Sequence, residues 1–129
     1  MTGSTGITVQ RVVEWTDTDA SGHYHHSSVI RWVEAAELEL YEHLGVGMFG
    51  TTPRVHYEVD YLARLWLGDR VDVELSIADV GSSSLRFAFV VRRGDVVAAR
   101  GLMVCVNSDP HSDGTTPWPA AVRTALTPR

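Results

Sequence analysis

The feature that most constrains this chain is a change of hydrophobic period near its middle. Over residues 28–44 apolar side chains recur three or four apart, with Val29, Val33, Ala36, Leu40 and Leu44 on one face. Trp32, Ala35 and Leu38 widen that face, which predicts a helix more buried than a surface helix. Ser27 or Ser28 is placed to cap its start, and Gly45 to stop it. After Pro53 the period becomes two. Val55, Tyr57, Val59 and Tyr61 alternate with His56, Glu58 and Asp60. Beyond a turn at Gly68 and Asp69, Val71, Val73, Leu75 and Ile77 repeat the pattern, and Leu85, Phe87, Phe89 and Val91 follow the turn at 81–84. Gly94 and Asp95 suit a two-residue hairpin. Residues 96–107 read as a mostly apolar strand in a central position.

A further apolar stretch at 7–15 predicts one strand ahead of the helix. The expected fold is therefore α+β. Short turns make the later strands antiparallel neighbours, and a helix with a wide apolar face requires the sheet to curl round it. All 129 residues form one domain, with an arm over about 108–129 expected to be loose apart from a short helix near 120–126. Trp15, Trp32, Trp66 and the apolar last strand predict burial by self-association, as a homodimer or homotetramer.

Composition removes several function classes. No apolar run approaches the roughly 18–20 residues of a membrane span, and no basic segment followed by an apolar one suggests a signal peptide. The cytoplasm is the default expectation. Cys105 is the single cysteine, so an internal disulfide and a cysteine zinc knuckle are both ruled out. A net charge of −5 with scattered basic residues argues against a nucleic-acid partner. All eleven basic residues are arginine, so lysine Schiff-base chemistry is excluded and any anion site must use arginine, backbone N–H groups or hydroxyls.

The densest polar cluster precedes the helix. Asp17, Asp19, His23, His25 and His26 fall within ten residues. An EF-hand reading matches Asp17, Asp19, Ser21 and Gly22, but Ser28 stands where the bidentate glutamate is needed, and a strand precedes the loop. A zinc reading would use His23 and His25, or His26 with Asp19, without the spacing of a helical histidine pair. A plain capping reading lets the aspartates complement the helix dipole. A catalytic reading sets a carboxylate beside the free N–H groups of the helix start, where they polarise a carbonyl while the carboxylate attacks it or activates water. Gly22 permits close backbone approach to a ligand. No Gly-x-Ser-x-Gly elbow competes, and Cys105 in a strand reads as inert core.

The run from Asp17 through His26, followed by Ile30-Arg-Trp-Val-Glu-Ala-Ala, resembles the signature of hot-dog acyl-CoA thioesterases. The nearest groups are the Tol-Pal-associated thioesterases and the Asp-dependent 4-hydroxybenzoyl-CoA thioesterases. The segment from Tyr57 to Asp72 resembles theirs too, and the similarity spans about Val9 to Val106. It implies a curled sheet round one helix and hydrolysis of an acyl-CoA to a carboxylic acid and CoA. In the family pattern the catalytic aspartate is the second of the pair, here Asp19. His26 stands at the family histidine position, and its N–H would bind the thioester oxygen. Trp15 replaces a tyrosine usual in the Tol-Pal group, and His25 replaces a common aromatic in the substrate pocket. The resemblance places the CoA phosphates at the 81–84 turn, with Ser83, Ser84 and Arg86, and near Arg64. Glu34 reads as structural or secondary. No metal is expected, and no cofactor beyond the CoA of the substrate. Two other readings share the fold: a thioesterase acting on an acyl or polyketide chain held by a carrier protein, and a non-catalytic acyl-CoA-binding module.

Overall fold

The structure is a computed structural model that describes residues 5–47, 52–111 and 113–127. Its elements run β1 (Gly6–Val12), α1 (Ser28–Leu44), β2 (Arg54–Tyr61), β3 (Arg70–Val80), β4 (Ser84–Arg93), β5 (Val96–Val106) and α2 (Ala120–Leu126). The five strands make one sheet in the order β1-β3-β4-β5-β2, with every neighbouring pair antiparallel. The sheet packs on α1, the arrangement of the hot-dog fold.

The two periods explain the core. On β3, Val71, Val73, Leu75 and Ile77 are buried, and on β4 Leu85, Phe87, Phe89 and Val91. They meet Val29, Trp32, Val33, Ala36 and Leu40 of α1 in one buried cluster. Gly101 marks the closest approach of strands. A side chain there would run into the backbone of Glu58 on β2 and the ring of Phe89 on β4, so only hydrogen fits. Gly45 stops α1 in the left-handed region, its N–H reaching the carbonyls of Tyr41 and Glu42.

Several expectations are corrected. The first strand ends at Val12, and Trp15 opens a short 3-10 turn in which the Asp17 carboxylate accepts the Glu14 N–H. Neither serine caps α1 through its side chain. The Ser28 hydroxyl donates back to the Asp17 carbonyl, and the Ser27 N–H donates to His25 Nδ1 instead. Leu38 is exposed, while Glu37 is buried. Glu37 pairs with Arg54 and accepts the Tyr41 hydroxyl, so a charge occupies space expected to be apolar. The C-terminal segment is not loose. Trp118 and Leu126 are buried, the Trp118 N–H and indole N–H donate to the Ser82 and Ser84 carbonyls, and Arg123 donates to the Gly81 carbonyl. That segment covers the 81–84 turn.

Candidate active site

The loop between β1 and α1 is folded by its own polar groups. The Asp19 N–H donates to the His23 carbonyl at 2.9 Å, and the Gly22 N–H donates to the Asp19 carbonyl at 3.1 Å. Gly22 takes a φ of 90°, which closes this turn and lies under the Trp66 ring. The Tyr24 hydroxyl donates to the carbonyls of Ala63 and Ala98, tying the loop to the segment after β2 and to β5. Burial pushes that phenol up to about 12, so it stays a donor. Asp17 shapes the turn: its carbonyl accepts the His25 N–H and the Ser28 hydroxyl, and its carboxylate meets Arg31 at 3.2 Å.

Asp19 has two unlike carboxylate oxygens. Oδ1 accepts the Ser21 hydroxyl at 2.6 Å and the Ser21 N–H at 2.8 Å. Those bonds, the hydroxyl foremost, hold the carboxyl below the usual aspartate range, so it is an anion at neutral pH. Oδ2 has only His23 Nε2 near it, at 3.5 Å, which is long for a hydrogen bond. One oxygen fixes the group and the other is open.

The N–H groups that follow are almost all used. Tyr24 donates to the Leu65 carbonyl, His25 to the Asp17 carbonyl, Ser27 to His25 Nδ1 and Ser28 to the His25 carbonyl. Among the described residues the His26 N–H alone in this run has no acceptor. The Tyr61 hydroxyl donates to the His26 carbonyl at 2.6 Å and holds that residue from across the chain.

Asp19, His23, Tyr24, His26, Tyr61, Leu62, Ala63 and Arg64 line a cavity of about 360 Å³. A carboxylate oxygen and a residue with an unused N–H thus share one recess, the arrangement needed to polarise a carbonyl and to attack it. Arg64 is exposed at the rim, with no acidic partner among the described residues. Trp15 is 79 % exposed and, with Asp19, lines a separate depression. His25 does not line the main cavity; it serves the start of α1. Glu34 pairs with Arg54 away from it.

Ser83, Ser84 and Arg86 are not brought to this cavity within the chain. The loop meets the sheet at Asp69, where the Val13 N–H donates to its carbonyl, and near Arg93, which donates to the Arg64 carbonyl. The 81–84 turn lies at the far end of the β3–β4 hairpin, about 30 Å of strand away. Cys105 is buried, and burial pushes its thiol up to about 11, as suits inert core. Sequence reasoning weighed His23 only as a zinc ligand or a turn former and placed Tyr61 only in a strand. Only the local density of histidines hinted at the first, and no sequence signal pointed to the second.

A curled sheet on one helix, with a carboxylate and an open N–H beside the helix start, defines a hot-dog enzyme of the thioester-hydrolase type. A family model of the thioesterase-like superfamily matches residues 13–126, and the chain belongs to that superfamily. It is 29% identical over 117 residues to a 1,4-dihydroxy-2-naphthoyl-CoA hydrolase of Prochlorococcus marinus, covering 78% of this chain and 76% of that one. A relative of the same name from Nostoc punctiforme is 27% identical, with 86% and 81% covered. Among solved structures, a thioesterase from Thermus thermophilus complexed with coenzyme A and Zn superposes with TM-score 0.84 at 29% identity, covering 98% of this chain and 95% of that one. A 4-hydroxybenzoyl-CoA thioesterase variant carrying 4-hydroxybenzoyl-CoA shares the fold at TM-score 0.87 and 18% identity, covering 96% of this chain and all of that one. This protein is a thioesterase. No helix among the described residues is long and apolar enough to cross a membrane.

Proposed function

We propose that the protein hydrolyses an acyl-CoA thioester to a carboxylic acid and CoA, using Asp19 and His26. The carrying observation is the cavity shared by Asp19, whose Oδ2 is open, and His26, whose N–H has no acceptor. In this scheme the His26 N–H binds the thioester carbonyl oxygen and stabilises the negative charge that develops there. Asp19 Oδ2 acts as nucleophile or general base. The His26 side chain and Tyr61 flank the acyl group, and Arg64 at the rim meets the anionic end of CoA. The scheme draws on water and the chain's own groups, with no cofactor and no metal. Ser83, Ser84 and Arg86 enter it as CoA contacts only through a second subunit, since the chain's own turn lies at the far end of the sheet.

An aromatic acyl group is the favoured substrate class. Relatives bear the name of a naphthoyl-CoA hydrolase, and the cavity is walled by the rings of His23, Tyr24, His26 and Tyr61. A homodimer or homotetramer is part of the proposal, because β1 and β2 are edge strands, Tyr61 and Leu62 are exposed beside the site, and Val55 is exposed at the other end of β2. The test is thiol release from aromatic and aliphatic acyl-CoA esters and from acyl-carrier substrates. Hydrolysis of an aromatic ester by the native protein, lost in a well-folded Asp19→Asn, is expected. Unchanged turnover in that variant would overturn the assignment.

A further inference from the structure

We infer that His23 is a second proton acceptor in the site, holding the hydrolytic water jointly with Asp19. This rests on the general-base form of the Asp19 reading and extends it.

The contacts of the His23 ring fix its tautomer. His23 Nδ1 lies 3.0 Å from the Tyr24 carbonyl oxygen. A carbonyl only accepts, so in the neutral ring Nδ1 carries the hydrogen and Nε2 is left with a lone pair. The ring is fixed on its other side by Trp66, edge to face at 5.9 Å and 86°, where His23 and Trp66 also form a backbone bridge. Nε2 therefore faces Asp19 Oδ2 at 3.5 Å, with both side chains about one-third exposed (32%/32%). Two acceptors at that spacing cannot bond to each other. A water oxygen about 2.8 Å from each fits the gap and donates one hydrogen to Oδ2 and the other to Nε2. Its lone pairs are then free to face a carbonyl held at His26. The loop turn that brings the two side chains together is backbone-made, through the Asp19 N–H and the His23 carbonyl.

The step balances within the site. The water oxygen forms the bond to the thioester carbon and gives one proton to the pair, shared between Oδ2 and Nε2. The tetrahedral species collapses, the C–S bond breaks, and the proton passes from the pair to the leaving thiolate, which departs as thiol. The ring returns to its starting tautomer and Asp19 to its anion. The other ionisable groups around the ring are Tyr24, whose ring lies 6.3 Å away, and His26, Tyr61 and Arg64 across the cavity; His25 acts on Asp19 from the start of the helix.

His23→Asn separates chemistry from structure, because its amide N–H₂ replaces Nδ1 toward the Tyr24 carbonyl while nothing replaces Nε2. His23→Ala removes both. The expected result is a kcat loss of about 100-fold or more in each variant, with KM little changed. His23→Asn should keep the native thermal midpoint. A folded His23→Asn with native kcat would overturn the inference. If Asp19→Asn is inactive in the same assay, only the His23 role fails; if Asp19→Asn is active, the site reading itself falls.

Discussion

Two polar clusters hang on α1, and they are built to opposite ends. At its N-terminus, the loop with Asp19, His23 and His26 is half-exposed and leaves a carboxylate oxygen and an N–H unused. Two and a half turns along, Glu37 is only 2% exposed, and the Arg54 guanidinium and Tyr41 hydroxyl complete its hydrogen bonds. Burial also pushes the Tyr41 phenol well above its ordinary range, so the hydroxyl stays a donor to the glutamate. Burial makes an unpaired group costly, so a buried cluster is closed. Partial exposure lets the loop keep groups in reserve for a ligand. The number of ionisable residues is similar in the two clusters; what separates structural from chemical use is how many of their bonding positions are already taken.

The comparison breaks most visibly at Asp19. Asp19→Asn is expected to lower kcat by about 10³-fold, equivalent to roughly 4 kcal/mol of barrier, while the unfolding midpoint in urea stays native. A large stability loss would mean the loop is structural after all. Glu37→Ala should do the reverse. It leaves Arg54 without its closest partner and costs about 3 kcal/mol in urea unfolding, the low end for a broken buried pair because Arg54 still meets water and Glu34. Its kcat at temperatures where it is folded should match the native value.

Smaller substitutions sharpen the contrast. Tyr61→Phe removes the donor to the His26 carbonyl and is expected to reduce kcat about fivefold, the loss of about 1 kcal/mol. Retention of full activity would show that His26 needs no support from β2. The smallest effect is electrostatic. The Ser21 hydroxyl is the chief cause of the lowered Asp19 carboxyl. Ser21→Ala therefore moves that titration upward, toward the ordinary aspartate range. A group depressed in the folded state keeps its charge to lower pH, so losing the hydroxyl means Asp19 protonates earlier as pH falls. The carboxyl carbon shift of Asp19 across an acid titration measures this, and an unmoved midpoint would assign the effect to the Ser21 N–H instead.

Much of this was legible before any coordinates. The helical period marked α1 at 28–44 and alternation marked β2, β3 and β4 to within three residues, because both patterns record which side of an element meets water; an apolar run marked β5. The loop was legible as a candidate for a related reason: it leads into a helix, and a helix start carries free N–H groups wherever it sits; the choice of Asp19 and His26 within it came from the resemblance to the family signature. The errors share a cause as well. Leu38 and Glu37 are adjacent, and periodicity alone favoured the leucine for the core; Arg54, seventeen residues on, reversed that.

The order of elements, the two periods and the chemical candidate loop were thus determined by the sequence itself, since each depends on neighbours along the chain. The tertiary structure alone decided which groups meet. It brought Tyr61 to His26 across 35 residues and Tyr24 to Ala98 across 74. It turned the His23 ring onto Asp19 by way of Trp66, laid the C-terminal segment over the 81–84 turn, and set that turn at the far end of the sheet from the site. Contacts of that range follow from the curl of the sheet and from which polar groups remain unpaired after it closes, and neither is written in a hydrophobic period.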